Sequence, residues 1–161
     1  MPSEGKKTVI FICTHNSARS QMAEGILRHL YGDRFDVHSA GTRPSRVNPY
    51  AVRVMDEIGI DITEHSSKSL DAYEGAGFDC VVTVCDHANE ACPVFPGGGR
   101  HIHRGFRDPA AFRGRDEEIL AGFRTVRDEI KDWIESEFGV ISCGARKEDS
   151  EPRSEIKIWS D

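Results

Sequence analysis

The chain is predicted to fold as a single α/β domain with a parallel sheet between layers of helices. Short apolar, β-branched runs, which are typical of buried parallel strands, alternate along the chain with segments of helical periodicity. The length of 161 residues suits one ordinary domain and leaves little room for a second. In folds of this class the helices cover both faces of the sheet, and ligands bind beyond the carboxyl ends of the strands.

The predicted elements follow one another in a regular order. The first strand, 8–12, ends in a polar turn, and a helix over 20–31 follows and stops at Gly32. The later elements are a strand over 37–40, a helix opened by Asn48 and Pro49, a strand over 79–84 and a long amphipathic helix over 116–138. We expect one domain over residues 1–138 and a polar, loosely attached tail over 139–161.

Composition and charge exclude several classes of function. Lys and Arg number 21 and Asp and Glu number 27, so the formal charge is −6, which disfavours binding to nucleic acid or to an anionic membrane. No apolar run resembles a signal peptide or a membrane span, and we therefore expect a cytoplasmic protein. A monomer is the expected state, although the residues leave oligomerisation open. The five cysteines are an odd count, which argues for reactive, metal-binding or packed thiols over a disulfide framework.

The turn after the first strand has the composition of an oxyanion-binding loop. Cys13 directly follows the strand, Arg19 ends the turn six residues later, and Ser20 opens the helix. Loop N–H groups and a helix start attract an anion, and a guanidinium offers a planar fork for two of its oxygens, so the same field favours a thiolate at Cys13. The residues expected to contact the anion are Thr14, His15, Asn16, Ser17, Ala18, Arg19 and Ser20. The alternative is that Cys13 fills the core at a strand end and Arg19 is a surface residue.

A second loop carries a candidate general acid. Asp108 precedes Pro109, which stiffens the segment from Gly105 to Ala110. A carboxyl group close to a bound oxyanion could protonate a departing oxygen. The alternative is an Asx turn, which is the commoner role of an aspartate before proline. The residues alone leave both roles open.

Cys85 and Cys92 follow the third predicted strand. At helical rise their Cα atoms would lie about 10.5 Å apart, whereas a disulfide needs about 7 Å or less, so a helical segment here must unwind before the sulfurs join. The pair is a candidate redox switch, with packed core thiols and zinc ligation as alternatives. The histidines that could share zinc are His87, His101 and His103. Cys80, inside the strand, is expected to be a packed small hydrophobe, and Cys143 has no assigned role.

Several motifs together carry a resemblance to a known family. Residues 9–24 read VIFICTHNSARSQMAE, followed by SAG at 39–41, NP at 48–49, VTVC at 82–85 and DP at 108–109. Over about residues 7–138 the chain resembles arsenate reductases built on the low-molecular-weight protein tyrosine phosphatase fold. The resemblance implies a three-layer α/β/α domain around a central four-stranded parallel sheet. It also implies that Cys13 attacks arsenate, that Arg19 binds it and that Asp108 is the general acid.

The resemblance further implies a thiol relay, because three thiols spaced like Cys13, Cys85 and Cys92 mark the thioredoxin-coupled branch of these enzymes. Cys85 attacks the sulfur of Cys13, arsenite leaves, and Cys92 moves the disulfide outward. The expected reductant is thioredoxin, with glutaredoxin or a low-molecular thiol as alternatives. No metal or organic cofactor is expected, and the implied role is arsenic detoxification.

A departure from the family concerns a cation site beside the loop. One branch holds potassium there with an Asn, a Glu, a Ser and an Asp. Asn16, Glu24 and Ser39 match three of these positions, but Lys68 stands where the Asp would be. The Lys68 ammonium could itself occupy the site, which predicts a weak dependence on potassium, or Lys68 could be a solvated surface residue.

Two other functions stay open at this point. A tyrosine phosphatase would share the loop, Arg19 and Asp108, but such enzymes usually carry aromatic residues after the Asp-Pro pair, where this chain has Ala110 and Ala111. Residual hydrolysis of a small aryl phosphate is still expected, because phosphate and arsenate share shape and charge. A non-enzymatic metalloid or zinc sensor that uses the thiols is the second alternative.

Overall fold

The computed structural model describes residues 5–86 and 98–139. Within these ranges the chain forms β1 (Lys7–Cys13), α1 (Arg19–Tyr31), β2 (Phe35–Gly41), α2 (Pro49–Glu57), β3 (Cys80–Thr83), β4 (Arg100–His103) and α3 (Asp116–Phe138). Two short 3₁₀ helices, Leu70–Tyr73 and Pro109–Ala111, lie in the connections. None of the helices in these ranges is both long and apolar enough to span a bilayer.

The four strands form one sheet in the order β2-β1-β3-β4, and every neighbouring pair is parallel. The predicted α/β class with a four-stranded parallel sheet is therefore confirmed. Ile12 of β1 lies opposite Thr83 of β3, and the Val84 N–H donates to the Ile12 carbonyl at 2.9 Å. Pairing thus continues to the carboxyl ends of both strands, so that Cys13 and Cys85 emerge at the same edge of the sheet.

The two faces of the sheet pack against different partners. Val9 and Phe11 of β1 face a large core that includes residues of all three α-helices. Ile10 and Ile12 face the opposite side and pack with Phe78 and Val81 in a smaller cluster, whose further apolar contacts come from Leu70 and Tyr73. This alternation follows from the two-residue period of a strand. In the described ranges this second face is covered by the 3₁₀ helix Leu70–Tyr73 and by Phe78, which precedes β3.

Sequence patterns located most elements but missed one strand. The helix over 116–138 is found at the predicted bounds, and Gly32 caps α1 as predicted. The strand Arg100–His103 was not predicted, because it has only one apolar residue, Ile102, among charged and polar neighbours. Such a composition is tolerated because β4 lies at the edge of the sheet and pairs on one side only.

Candidate active site

The segment between β1 and α1 forms a tight loop that wraps around the end of the sheet. Asn16 adopts the left-handed conformation, with φ of 51°, as its type predicted. Gly41, at the end of β2, presses against this loop, because a Cβ atom there would lie 2.5 Å from the Thr14 carbonyl oxygen. Only glycine permits this approach, so the neighbouring strand fixes the shape of the loop.

Cys13 lies at the base of a pocket of about 280 Å³. The side chain is 1% exposed and is a free thiol. Its Sγ lies 2.9 Å from Ser20 Oγ, which in turn accepts a hydrogen bond from Asn16 Nδ2 at 2.7 Å. Since that hydroxyl accepts from the amide, its own proton is free to point at the sulfur. This is the orientation that stabilises a thiolate.

Arg19 and Asp108 both line the pocket and lie close to each other. Arg19 Nη1 donates to the Phe106 carbonyl at 3.2 Å, and its Nη2 lies 3.7 Å from Asp108 Oδ2. Asp108 Oδ1 accepts from the Ala110 N–H at 3.0 Å. The aspartate therefore forms the Asx turn and also faces the pocket, so its two sequence-based roles are compatible. The full lining is Cys13, His15, Ser17, Ala18, Arg19, Ser45, Asp108 and Ala110.

An Asp108→Asn substitution is expected to lower kcat by about 10²-fold. The amide keeps an oxygen that can accept from Ala110 N–H, so the turn survives, but it has no proton to give to a leaving oxygen. The measurement is steady-state kinetics alongside a thermal melt. Asp61→Asn is the matched control, because Asp61 makes the same kind of turn with Thr63 and is not among the pocket-lining residues. Equal losses in the two variants would contradict the acid role.

The two other cysteines in the described ranges, Cys80 and Cys85, are not free thiols. Cys80 and Cys85 are both fully buried, and each is disulfide-bonded. The four residues between them, 81–84, follow the strand and place their Cα atoms about 16 Å apart, beyond disulfide reach, so they are not bonded to each other. Cys80 packs in the core as predicted, and the disulfide it forms was not predicted. Cys92 and Cys143 lie outside the described residues.

Cys85 is close to Cys13 through the register of the strands. Cys13 stands beside Val84, and Cys85 is the next residue along. From the strand spacing and rise, the Cα atoms of the two cysteines are roughly 6 Å apart. Local rearrangement could bring their sulfurs together. The described residues contain no cluster of three or more His, Cys, Asp or Glu side chains that could hold a metal ion; His87 lies outside them.

The four residues of the candidate cation site do come together. Asn16 Nδ2 donates to Ser39 Oγ at 2.9 Å, Ser39 Oγ donates to Glu24 Oε1 at 2.5 Å, and Lys68 Nζ lies 3.7 Å from Glu24 Oε1. Lys68 Nζ also donates to the Ser66 carbonyl at 2.9 Å. The Lys68 ammonium thus places positive charge beside Glu24, and the weak dependence on potassium stays a prediction.

Glu24 is the acidic residue of this cluster, and its side chain is buried. Burial by itself raises the pKa of Glu24, but Lys68, the Ser39 hydroxyl and Arg28 together bring it below the ordinary value of 4.5. Arg28 Nη2 contacts Glu24 Oε2 at 2.5 Å. A carboxylate held ionised in this way stabilises the fold above its unfolded pKa and loses that contribution as the pH falls through the lower folded value.

A Lys68→Met substitution is therefore expected to lower the free energy of unfolding at neutral pH by about 1–3 kcal/mol. The difference from the parent should shrink below pH 4.5, as Glu24 takes up a proton. Urea unfolding at several pH values measures this. Lys7→Met is the control, because Lys7 is exposed and makes no ion pair within the described residues. A difference that persists unchanged at low pH would contradict the pairing.

Sequence reasoning missed a buried amide that organises this region. Gln21 is fully buried, and its Nε2 donates to Asn16 Oδ1 at 2.9 Å and to the Ser66 carbonyl at 2.8 Å. Its oxygen lies 2.8 Å from His65 Nδ1. Burial lowers the pKa of His65 below its ordinary value, and the negative charge of Glu24 offsets part of that shift. No local pattern could reveal this contact, since 44 residues separate its ends.

Comparison with known proteins gives a consistent result. A family model described as low molecular weight phosphotyrosine protein phosphatase matches residues 8–136. An arsenate reductase of Halalkalibacterium halodurans is 51% identical over 125 residues, covering 78% of this chain and 90% of that protein. The structure of an arsenate reductase in the reduced state superposes with a TM-score of 0.67 at 32% identity, covering 81% and 95% of the two chains. The structure of the thioredoxin-dependent arsenate reductase of Corynebacterium glutamicum superposes with a TM-score of 0.57 at 28% identity, covering 84% of this chain and 63% of that one.

Proposed function

The chain belongs to the low molecular weight phosphotyrosine protein phosphatase family, and on that premise we propose that it reduces arsenate to arsenite through a thiol relay that thioredoxin resets. The motif resemblance to arsenate reductases is borne out by relatives of that name at 51% and 47% identity. The role in the cell would be detoxification of arsenic in the cytoplasm.

One observation carries the proposal beyond family membership. Cys13 is a free thiol at the base of the pocket, while Cys85, at the end of the neighbouring strand, is disulfide-bonded. Phosphate ester hydrolysis needs only the first of these sulfurs. A relay needs both, and it ends with the first sulfur reduced and the second oxidised. A free Cys13 beside an oxidised Cys85 supports such a relay, and Cys80, outside the relay, is also disulfide-bonded.

The first chemical step takes place on the loop. The Cys13 thiolate attacks the arsenic atom of a bound arsenate, with Arg19 and the loop N–H groups holding the oxygens. An arsenic–oxygen bond breaks, Asp108 protonates the departing oxygen, and a thiol–arsenate adduct forms with arsenic still pentavalent. Ser20 stabilises the thiolate before attack through its 2.9 Å contact with the sulfur.

Reduction occurs in the second step. The Cys85 thiolate attacks Cys13 Sγ, the sulfur–arsenic bond breaks, and its electron pair stays on arsenic, which leaves as trivalent arsenite. A disulfide now joins Cys13 and Cys85. The Cys92 thiolate attacks Cys85 Sγ and releases the Cys13 thiolate, so that the disulfide moves to Cys85 and Cys92. The dithiol of thioredoxin then reduces this bond, and each cycle consumes two thiols per arsenate.

The test is arsenite formation by the full chain with thioredoxin, thioredoxin reductase and NADPH. One NADPH should disappear for each arsenite formed. Disulfide mapping by mass spectrometry, after one turnover without thioredoxin, should find Cys85 bonded to Cys92. NADPH oxidation without arsenite, or a mapped pair that excludes Cys85, would refute the proposal.

A phosphatase is the second candidate, because the same loop, Arg19 and Asp108 also suit phosphoryl transfer. The pocket has Ala110 on its wall, and the exposed Ala111 follows it, so no aromatic side chain from these two positions can hold a phenyl ring. Phosphate release from an aryl phosphate is therefore expected to be slow. A turnover number for the ester above that for arsenate would favour the phosphatase, and stoichiometric zinc in the purified protein would favour a sensor.

A further inference from the structure

The surface around the pocket has a charge opposite to that of the whole chain. The protein carries a formal charge of −6, yet residues 100–115 contain five arginines and one acidic residue, Asp108. Two more arginines, Arg43 and Arg46, stand in the segment 41–47, which has no acidic residue. These two segments contribute Ser45, Asp108 and Ala110 to the pocket wall.

Four of these arginines are next to pocket-lining residues in the sequence or contact the lining or the oxyanion loop, and we call them the arginine rim: Arg43, Arg46, Arg107 and Arg113. The N–H of Arg43 donates to the Thr14 carbonyl of the oxyanion loop at 2.8 Å. Arg46 directly follows the lining residue Ser45, as Arg107 directly precedes the lining residue Asp108. Arg113 Nη1 lies 3.4 Å from the carbonyl oxygen of Ala110.

The rim charges are exposed and have no ion-pair partner among the described residues. All four residues are exposed, and none forms an ion pair within residues 5–86 and 98–139. Arg107 lies over the Phe112 ring at 5.3 Å, and Arg113 also donates to the carbonyls of Ala111 and Phe112. These contacts hold two guanidinium groups in place without neutralising them. Positive charge at these exposed positions acts on an ion that approaches the pocket.

We propose that the arginine rim attracts the arsenate anion to the Cys13 pocket and overcomes the repulsion from the net negative chain. The inference rests on the proposed function for the identity of the anion. Charge of one sign around a cleft focuses the field and can raise association rates by about 10- to 10³-fold. Arsenite is uncharged at neutral pH, so the rim favours entry of the substrate without retaining the product.

The first experiment needs no arsenate chemistry. Cys13 of the full chain is alkylated with iodoacetate, an anion, and with iodoacetamide, which is neutral, and the modified residue is confirmed by peptide mass mapping. In both reagents the sulfur displaces iodide. An Arg43→Gln/Arg46→Gln variant should lower the ratio of the two rate constants about threefold at an ionic strength of about 0.01 M. At about 1 M sodium chloride, where the Debye length is ~3 Å, the variants should agree within about twofold.

The matched control is Lys6→Gln/Lys7→Gln, which removes the same charge at the opposite end of β1. Lys7 lies six residues before Cys13 along the strand, or about 20 Å away. The ratio of the iodoacetate and iodoacetamide rate constants should therefore be unchanged in this control variant. An Arg43→Lys/Arg46→Lys variant should restore the parent ratio, because the rim acts through charge and not through guanidinium geometry. An unchanged ratio in the Arg→Gln variant, or an equal change in the control, would overturn the proposal.

The second experiment separates arsenate entry from docking of the reductant. Single-turnover oxidation of the reduced enzyme by arsenate, without thioredoxin, should slow about tenfold in kcat/KM in the Arg→Gln variant at low salt, since arsenate carries more charge than iodoacetate. A defect confined to the KM for thioredoxin would make the rim a protein-docking surface and overturn the proposal. If arsenate is not reduced at all while the alkylation ratio still falls, the proposed function is wrong, but the inference that the arginine rim attracts anions to the pocket is supported.

Discussion

A Cys85→Ser variant is expected to lose arsenate turnover by on the order of 10³-fold or more, while anion binding stays intact. Serine cannot take the sulfur–sulfur bond that releases arsenite, so arsenic stays on Cys13. Cys85 is not among the pocket-lining residues, and the oxyanion loop should keep its affinity. The measurements are arsenite production with thioredoxin present and protection of Cys13 from iodoacetamide by inorganic phosphate.

The control for this variant is Cys80→Ala, in the same strand. Cys80 is buried in the core and is disulfide-bonded, so its loss should lower the melting temperature and leave the rate per folded molecule nearly unchanged. Sustained arsenate reduction by the Cys85→Ser enzyme would refute the relay. A comparable loss of arsenate turnover in the folded Cys80→Ala enzyme would instead make Cys80 a member of the relay.

An Arg19→Lys variant is expected to lose about 10²- to 10³-fold in kcat/KM for arsenate. Lysine keeps the charge, but a guanidinium can bond the Phe106 carbonyl and still present a planar fork to two oxygens of an anion, whereas an ammonium cannot do both. Steady-state kinetics measure the loss, and the inhibition constant for phosphate should rise in parallel.

Arg124→Lys provides the comparison, because Arg124 makes a two-point contact with Glu57 on an exposed part of α3. Its kinetics should match the parent within about twofold, since exposed ion pairs contribute little. Activity of the Arg19→Lys enzyme within a few-fold of the parent would show that charge alone suffices at this position, contrary to the expectation.

The sequence was most informative where one strong local signal acts alone. The apolar period of 116–138 and the loop from Cys13 to Ser20 are continuous segments, and both were predicted at the right place. Asn16 was predicted to tolerate left-handed backbone and does adopt it. These features depend on residues a few positions apart, so the pattern contains the needed information.

What the sequence could not supply depends on distant partners. The contact of Gln21 with His65 joins two elements across the fold, and the disulfide state of Cys80 depends on which other sulfur lies near it. The edge strand β4 has no apolar alternation to reveal it, because pairing with β3 alone defines it. The resemblance could name the residues beside Glu24, but only the contact of Lys68 with this carboxylate distinguishes an internal cation from a solvated side chain.

The close approach of Gly41 to Thr14 makes the catalytic loop depend on a border strand of the sheet. β2 is hydrogen-bonded to β1 on one flank, and near its end the Gly41 N–H is tied to the Lys68 carbonyl at 2.9 Å. Border strands fray before central ones on warming. Once β2 loosens, Gly41 no longer fixes the shape of the oxyanion loop, although the hydrophobic core is still folded. We therefore expect activity to be lost several degrees below the melting temperature.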